Sequence, residues 1–241
     1  MKGLVQIAGV KDRADAMTIK SAGADRIGFP LRLSVHSEDI SDEQAARIIA
    51  DLHLGESAVL ITYLKDADQI RRLCRRIGAR KVQLHGEPPI EQIERLRSHD
   101  SQIFVMKSLI VRGDNPSEPL NLLDHYSPFV NAFITDTYDP STGACGATGK
   151  VHDWDVSRML VEASIRPVIL AGGLNPRNVQ EAILHVRPAG VDAHTGVEGP
   201  DGRKDRMLLD AFVSRAKQAF AAAHGDHEIF ASHSENTAAE K

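Results

Sequence analysis

Cysteine is scarce in this chain: two residues, Cys74 and Cys145, in a total of 241. That count supports neither a disulfide framework nor a structural zinc site, and it points to a reducing compartment. Charge of one sign is equally scarce. With 29 basic and 33 acidic residues the net charge is −4, which gives no support for nucleic acid or an anionic membrane as a partner. No stretch approaches the ~20 consecutive apolar residues of a membrane span. The start, Met1-Lys2-Gly3-Leu4-Val5-Gln6-Ile7-Ala8, reads directly into a strand and not as a signal peptide. A cytoplasmic location is therefore expected. There is also no linker, composition break or internal repeat to divide the chain.

What is present is alternation. Short apolar runs suited to buried parallel strands occur at Leu4–Ala8, Arg26–Pro30, Ala58–Leu64, Lys81–His85, Gln102–Lys107, Ala132–Thr137, Pro167–Ala171 and Gly190–Ala193. Amphipathic stretches follow them: Asp12–Ala22, Asp42–Leu52, Ala67–Ile77, Ile90–Arg97, Leu120–Tyr126, Asp153–Ala163, Pro176–His185 and Asp205–Ala223. Ser41 with Gln44 fits a capping box, Asp66 is a cap for the third helix, and Asn175-Pro176 reads as a cap followed by proline at the first helical position. Ile70, Leu73, Cys74 and Ile77 recur at helical spacing, so Cys74 is expected in the core. Eight strand–helix units at this length predict a single α/β domain, a parallel eight-stranded (β/α)8 TIM barrel over residues 1–223. The polar tail at 224–241 is expected to be disordered.

In such a barrel the chemistry sits at the strand C-terminal ends, and the loops after strands 7 and 8 commonly cradle phosphate. Here those loops carry Gly172-Gly173 and His194-Thr195-Gly196. Glycines there let backbone N–H groups approach an anion, although tight turns alone would also call for glycine. A phosphorylated small molecule is the expected ligand, with Gly172, Gly173, Thr195 and Gly196 at its phosphate. The remaining mouth positions are Ala8, Gly9, Arg32, Lys65, His85, Lys107 and Asp136. Asp136 closes an apolar strand, where partial desolvation would raise its pKa and suit it to donate a proton. A capping or ion-pairing role is the plainer alternative. His85 reads as an acid, a base or a structural histidine. His36, His85 and His194 are candidates to share the mouth, but without short ligand spacing, so no metal and no cofactor is expected. The glycine-rich stretch Gly143–Lys150 is a candidate closing loop, with Cys145 a conceivable thiol within it.

These residues resemble the phosphoribosylanthranilate isomerase family of tryptophan biosynthesis across roughly residues 4–220. The matching segments include Val5-Gln6-Ile7-Ala8-Gly9-Val10-Lys11, Ile40-Ser41-Asp42-Glu43-Gln44-Ala45, Val82-Gln83-Leu84-His85-Gly86-Glu87 and Asp136-Thr137. Others are Gly146-Ala147-Thr148-Gly149-Lys150, Leu170-Ala171-Gly172-Gly173-Leu174-Asn175-Pro176 and Gly196-Val197-Glu198. The resemblance implies an Amadori aldose–ketose isomerisation of a ribose-derived 5-phosphate, with Asp136 as the acid. It also shows departures. Ala8 stands at the position of the family's cysteine base. Glu38 stands where the family's anthranilate-binding arginine is expected, and His194-Thr195 replaces a pair of serines. Glu38 and His36 become candidates for a substitute base, and Ala8, Arg32, His36 and His194 for contacts to the substrate. Three functions stay open on the sequence: an isomerase-like enzyme diverged toward another phosphosugar or phosphate ester, a genuine phosphoribosylanthranilate isomerase, and a non-catalytic phosphometabolite-binding protein. A monomer or homodimer is expected.

Overall fold

The structure, a computed structural model, describes residues 2–33, 38–112, 115–139, 144–145 and 153–236; the side chains of 138–139, 144–145 and 224–236 are not among those described. In chain order the elements are β1 (Leu4–Ala8), α1 (Arg13–Ser21), β2 (Arg26–Pro30), α2 (Asp42–Asp51), β3 (Ala58–Thr62), α3 (Ala67–Ile77), β4 (Lys81–Leu84) and α4 (Ile90–His99). There follow β5 (Phe104–Val111), α5 (Ser117–Tyr126), β6 (Ala132–Asp139), β7 (Ala144–Cys145), α6 (Trp154–Ala163), β8 (Val168–Leu170), α7 (Val179–Val186), β9 (Gly190–Ala193) and α8 (Arg206–Asn236). Eight parallel strands run β1-β2-β3-β4-β5-β6-β8-β9 and close through the β9–β1 pairing. The short β7 lies outside this ring, antiparallel to the end of β6. This is the (β/α)8 barrel the alternation predicts.

Two apolar layers result from the strand pleat. Val5, Ile7, Leu60, Val82, Val105 and Phe133 face the helices and join the larger core. Ala8, Val59, Ile61, Met106, Ala132, Ile134, Ile169 and Ala171 fill the barrel interior. Arg26 plugs the interior near its lower end, with its guanidinium 4.6 Å from the Phe104 ring centre and 3.2 Å from the Met106 sulfur. Burial there pushes its pKa down to about 10. Helix starts follow their sequence signals. Ser41 and Gln44 form both halves of the capping box, and Asp66 accepts from the Gln69 N–H at 2.9 Å. Cys74 is buried in the core, which pushes its thiol up to about 12.

Three local expectations change. Strand β6 does not stop near Asp136: it runs to Asp139, because β5 extends to Val111 and pairs with it as far as Val111↔Thr137. Helix α7 begins at Val179 and not at Pro176. Asn175 instead accepts from the Arg177 N–H at 2.8 Å, and Asn178 accepts from the Asn175 N–H at 2.8 Å, so the two side chains hold a turn. Helix α8 continues past Ala223 to Asn236, through a run of good helix formers at Ala221–Ala223.

Candidate functional site

The strand pleat decides which side chains enter the barrel. On β1 the inward residues are Leu4, Gln6 and Ala8; on β9 they are Gly190, Asp192 and His194, since Leu4 pairs with Gly190 and Gln6 with Asp192. The same alternation brings Gln83 and His85 inward from β4 and its end, and Asp136 inward from β6. Lys107 goes the other way. Its ammonium lies 5.2 Å from the Tyr126 ring centre on the helix side and donates to the Ser108 carbonyl, so it does not reach the mouth.

A polar chain crosses the upper barrel. Gln6 Nε2 donates to Gln83 Oε1 at 3.0 Å, and Gln83 Nε2 approaches His85 Nε2 at 3.1 Å. With Gln83 donating, His85 carries its hydrogen on Nδ1, which faces Asp136 Oδ2 at 3.9 Å. Tyr63 stacks on the His85 ring at 5.0 Å. Burial, together with the charge of Lys107, pushes His85 down to about 4, so it is neutral near pH 7. Its approach to Asp136 is therefore a polar contact and not an ion pair.

Asp136 is buried. Desolvation raises its carboxyl to about 7; the Thr137 N–H, at 2.9 Å from Oδ1, opposes this and the nearby Asp192 adds to it. Asp192 is raised to about 7 as well, by burial, against the Gln6 hydrogen bond and the charge of Lys204. Two buried, interacting carboxyls that exchange protons near neutrality are suited to acid and base work.

Beside them lie the two glycine-bearing loops. Thr135 Oγ1 accepts from the Ala171 N–H at 3.0 Å and donates to its carbonyl at 3.2 Å, fixing the start of the first loop to β6. Gly172 and Gly173 both have positive φ, at 104° and 64°. Asn178 Nδ2 donates to the Gly173 carbonyl at 3.0 Å. The second loop forms a single 3-10 turn, Thr195–Val197. The loops touch so closely that a Cβ on Gly196 would collide with the Leu174 carbonyl oxygen. Among the described residues, the N–H groups of Gly172, Gly173 and Gly196 have no backbone acceptor.

At the third corner His194 Nε2 stands 3.5 Å from Glu198 Oε1. Lys204 Nζ donates to Glu198 at 2.8 Å and to the His194 carbonyl at 3.0 Å. Ala8, buried beside them, contributes only a methyl group.

Asp136, His85, Ala8, His194, Thr195 and the glycines thus share the barrel's C-terminal end. Arg32, just past the end of β2, and Glu38 are paired with each other. Glu38 accepts from the Arg32 N–H at 2.5 Å and from its guanidinium at 3.4 Å, while Asp42 holds the same guanidinium at 2.6 Å. Among the described residues, no contact joins Glu38 to Asp136 or His85: its carboxylate is turned onto Arg32, a non-glycine residue with φ 58°. His36 and residues 146–150 lie outside the described residues. Asp192, Gln6, Gln83, Glu198 and Lys204 were absent from the sequence candidates. The first three had a signal, a polar residue flanked by apolar ones inside a short strand, which marks a polar barrel interior.

A closed (β/α)8 barrel with a buried acid and two glycine loops at its C-terminal end is the architecture of a barrel enzyme for small phosphorylated substrates. Comparison with known proteins narrows the class. Residues 5–215 match the family described as N-(5′-phosphoribosyl)anthranilate (PRA) isomerase. The chain is 39% identical over 217 residues to N-(5′-phosphoribosyl)anthranilate isomerase 2 of Methanosarcina mazei, covering 90% of this chain and 95% of the relative. It superposes on the phosphoribosylanthranilate isomerase of Thermotoga maritima with a TM-score of 0.76 and 31% identity, covering 90% of this chain and all of that one. A further isomerase structure, solved with reduced 1-(o-carboxyphenylamino)-1-deoxyribulose 5-phosphate, matches at TM-score 0.73 and 29% identity, over 90% of this chain and 100% of that chain. The chain belongs to the N-(5′-phosphoribosyl)anthranilate isomerase family, the aldose–ketose isomerases of tryptophan biosynthesis. Among the described residues no helix is long and apolar enough to cross a membrane.

Proposed function

We propose that this chain converts N-(5′-phosphoribosyl)anthranilate into the corresponding aminoketose phosphate. The observation that carries this reading is Asp136, an inward carboxyl held to about 7 by burial, one strand away from the Gly172–Gly173 loop. Near neutral pH a large fraction of it is protonated, and it is the group that donates a proton to the sugar ring oxygen as the ring opens. His85 Nδ1–H faces the carboxylate left behind. The N–H groups of Gly172, Gly173 and Gly196, with the Thr195 hydroxyl, hold the 5-phosphate. All of these groups come from one chain, so a monomer suffices for the site and a homodimer is compatible with it. A cytoplasmic enzyme fits the charge balance and the cysteine usage.

A second reading is favoured by one contact. Arg32, the arginine expected to contact the substrate, already holds Glu38 and Asp42. A different phosphosugar or phosphate ester, bearing hydroxyls in place of the carboxylate, would leave that pair intact. The experiment that separates the readings offers purified protein N-(5′-phosphoribosyl)anthranilate and measures formation of the aminoketose. Conversion supports the first reading. If turnover appears only after Ala8→Cys combined with Glu38→Arg, the substrate has diverged. If phosphate esters bind but neither form turns over, the chain is a binding protein.

A further inference from the structure

At the end of the barrel opposite the mouth lies a cavity of about 450 Å³, enclosed by the starts of β8 and β9 and by α6, α7 and α8. Chain order puts it there: Lys2 precedes β1, Arg166 precedes β8, and residues 187–189 precede β9. Its size is that of pockets which hold small organic ligands. The walls are apolar, with Val161 from α6, Val168 from β8, Ile183 from α7 and Phe220 from α8. Three cations, Lys2, Arg166 and Arg187, also line it, and among the described residues no carboxylate does. Glu162, next to Val161 in the chain, is held by Arg158 at 2.9 Å.

The two arginines differ in what they offer. Arg187, at the end of α7, donates to the Leu184 and Ala223 carbonyls, each at 3.0 Å, so its guanidinium ties α8 to α7 and forms part of the wall. Arg166 is half-buried and donates through Nε to the Ser127 carbonyl at 2.9 Å. Among the described residues its Nη1 and Nη2 make no hydrogen bond or ion pair. One anchored N–H holds the guanidinium plane and leaves the fork of donors that matches a carboxylate.

We propose that this cavity binds a small aryl carboxylate, with its carboxylate on Arg166 and Lys2 and its rings against Ile183 and Phe220. The lining selects that class. A hydrocarbon would leave three cations without an anion. Inorganic phosphate would leave the apolar walls uncovered. An amino-acid zwitterion would bring an ammonium among three cations with no acid to receive it. The site is separate from the catalytic mouth, because Asp136 and the glycine loops lie at the opposite ends of the strands.

The test is calorimetry on the full chain with 2-naphthoate, and with 2-naphthalenemethanol as its uncharged counterpart. The parent should bind the naphthoate at least ~10-fold more tightly than the alcohol, the usual worth of a charge-assisted hydrogen bond. Arg166→Gln should weaken naphthoate binding ~10–100-fold on the same grounds and leave turnover of N-(5′-phosphoribosyl)anthranilate as in the parent. Lys2→Glu brings a carboxylate to the cavity and should also weaken binding. Lys2 is exposed, so this variant decides the matter if Arg166→Gln, without its bond to Ser127, does not fold. Equal naphthoate affinity in the parent and the variants would place the ligand elsewhere and overturn the proposal. So would an absence of binding at millimolar naphthoate; a parent dimer that Lys2→Glu splits in sedimentation would then identify the occupant as a second copy of the chain.

Discussion

At the residue scale the two buried carboxyls set the behaviour of the site. Asp136 and Asp192 each stand at about 7, above the ordinary ~3.9 of aspartate, mainly because burial disfavours their charged forms. Asp192 lies near enough to raise Asp136 further. Replacing Asp192 with Asn removes that repulsion, so the fall of kcat/KM with rising pH should begin at lower pH in Asp192→Asn than in the parent. A pH–rate profile of both proteins checks this; an unmoved or upward-shifted limb would show that the two carboxyls do not interact. Asp136 was legible in the sequence as a lone carboxyl in an apolar strand, whereas Asp192 lay unremarked inside the expected strand Gly190–Ala193. The difference is physical. Residues 6, 83 and 192 become neighbours only when the barrel closes, and no local pattern announces a contact of that range. Glu38, a candidate base on the sequence, has a different partner that the sequence did not announce: Arg32, in the same loop, takes its carboxylate.

At the element scale the sequence was clearest where local chemistry decides. Strands β1, β2 and β9, helix α3, the Ser41 capping box and the Asp66 cap stand where their signals placed them. Asp66→Ala should lower stability by ~1 kcal/mol, the usual worth of an N-cap, as read from a denaturant midpoint. Elements were misjudged where long-range partners override local signals. The β5–β6 ladder lengthens both strands, and the Asn175–Asn178 turn delays α7 past Pro176. That turn braces the Gly172–Gly173 loop against the Thr195–Val197 turn. Gly196 is the tightest point, and Gly196→Ala forces the Leu174 carbonyl away. Overpacking of this kind typically costs ~1–3 kcal/mol, so reduced stability and a raised KM for phosphorylated substrate are expected together. Calorimetry with inorganic phosphate would expose an error here: unchanged affinity in Gly196→Ala would mean that these loops are not the cradle.

At the scale of the whole molecule, the protonated carboxyls inside the barrel tie stability to pH. The folded state holds protons on Asp136 and Asp192 that the unfolded chain releases near pH ~4. Their contribution is therefore fully present below that pH and is lost as pH rises through about 7. The stability of Asp192→Asn relative to the parent should accordingly increase from pH ~4 to pH ~8, and thermal unfolding at both ends of that window reads it. In the proposed mechanism the same burial that ties Asp136 to stability also keeps it protonated as the acid. The most direct measurement is the steady-state conversion of N-(5′-phosphoribosyl)anthranilate by the parent and by Asp136→Asn across this pH range. With Asp136 as the acid, the parent's kcat/KM falls as pH rises through about 7, and Asp136→Asn loses ~10²–10⁴-fold in kcat at every pH while still binding phosphate. A variant that retains near-parental turnover would contradict the account.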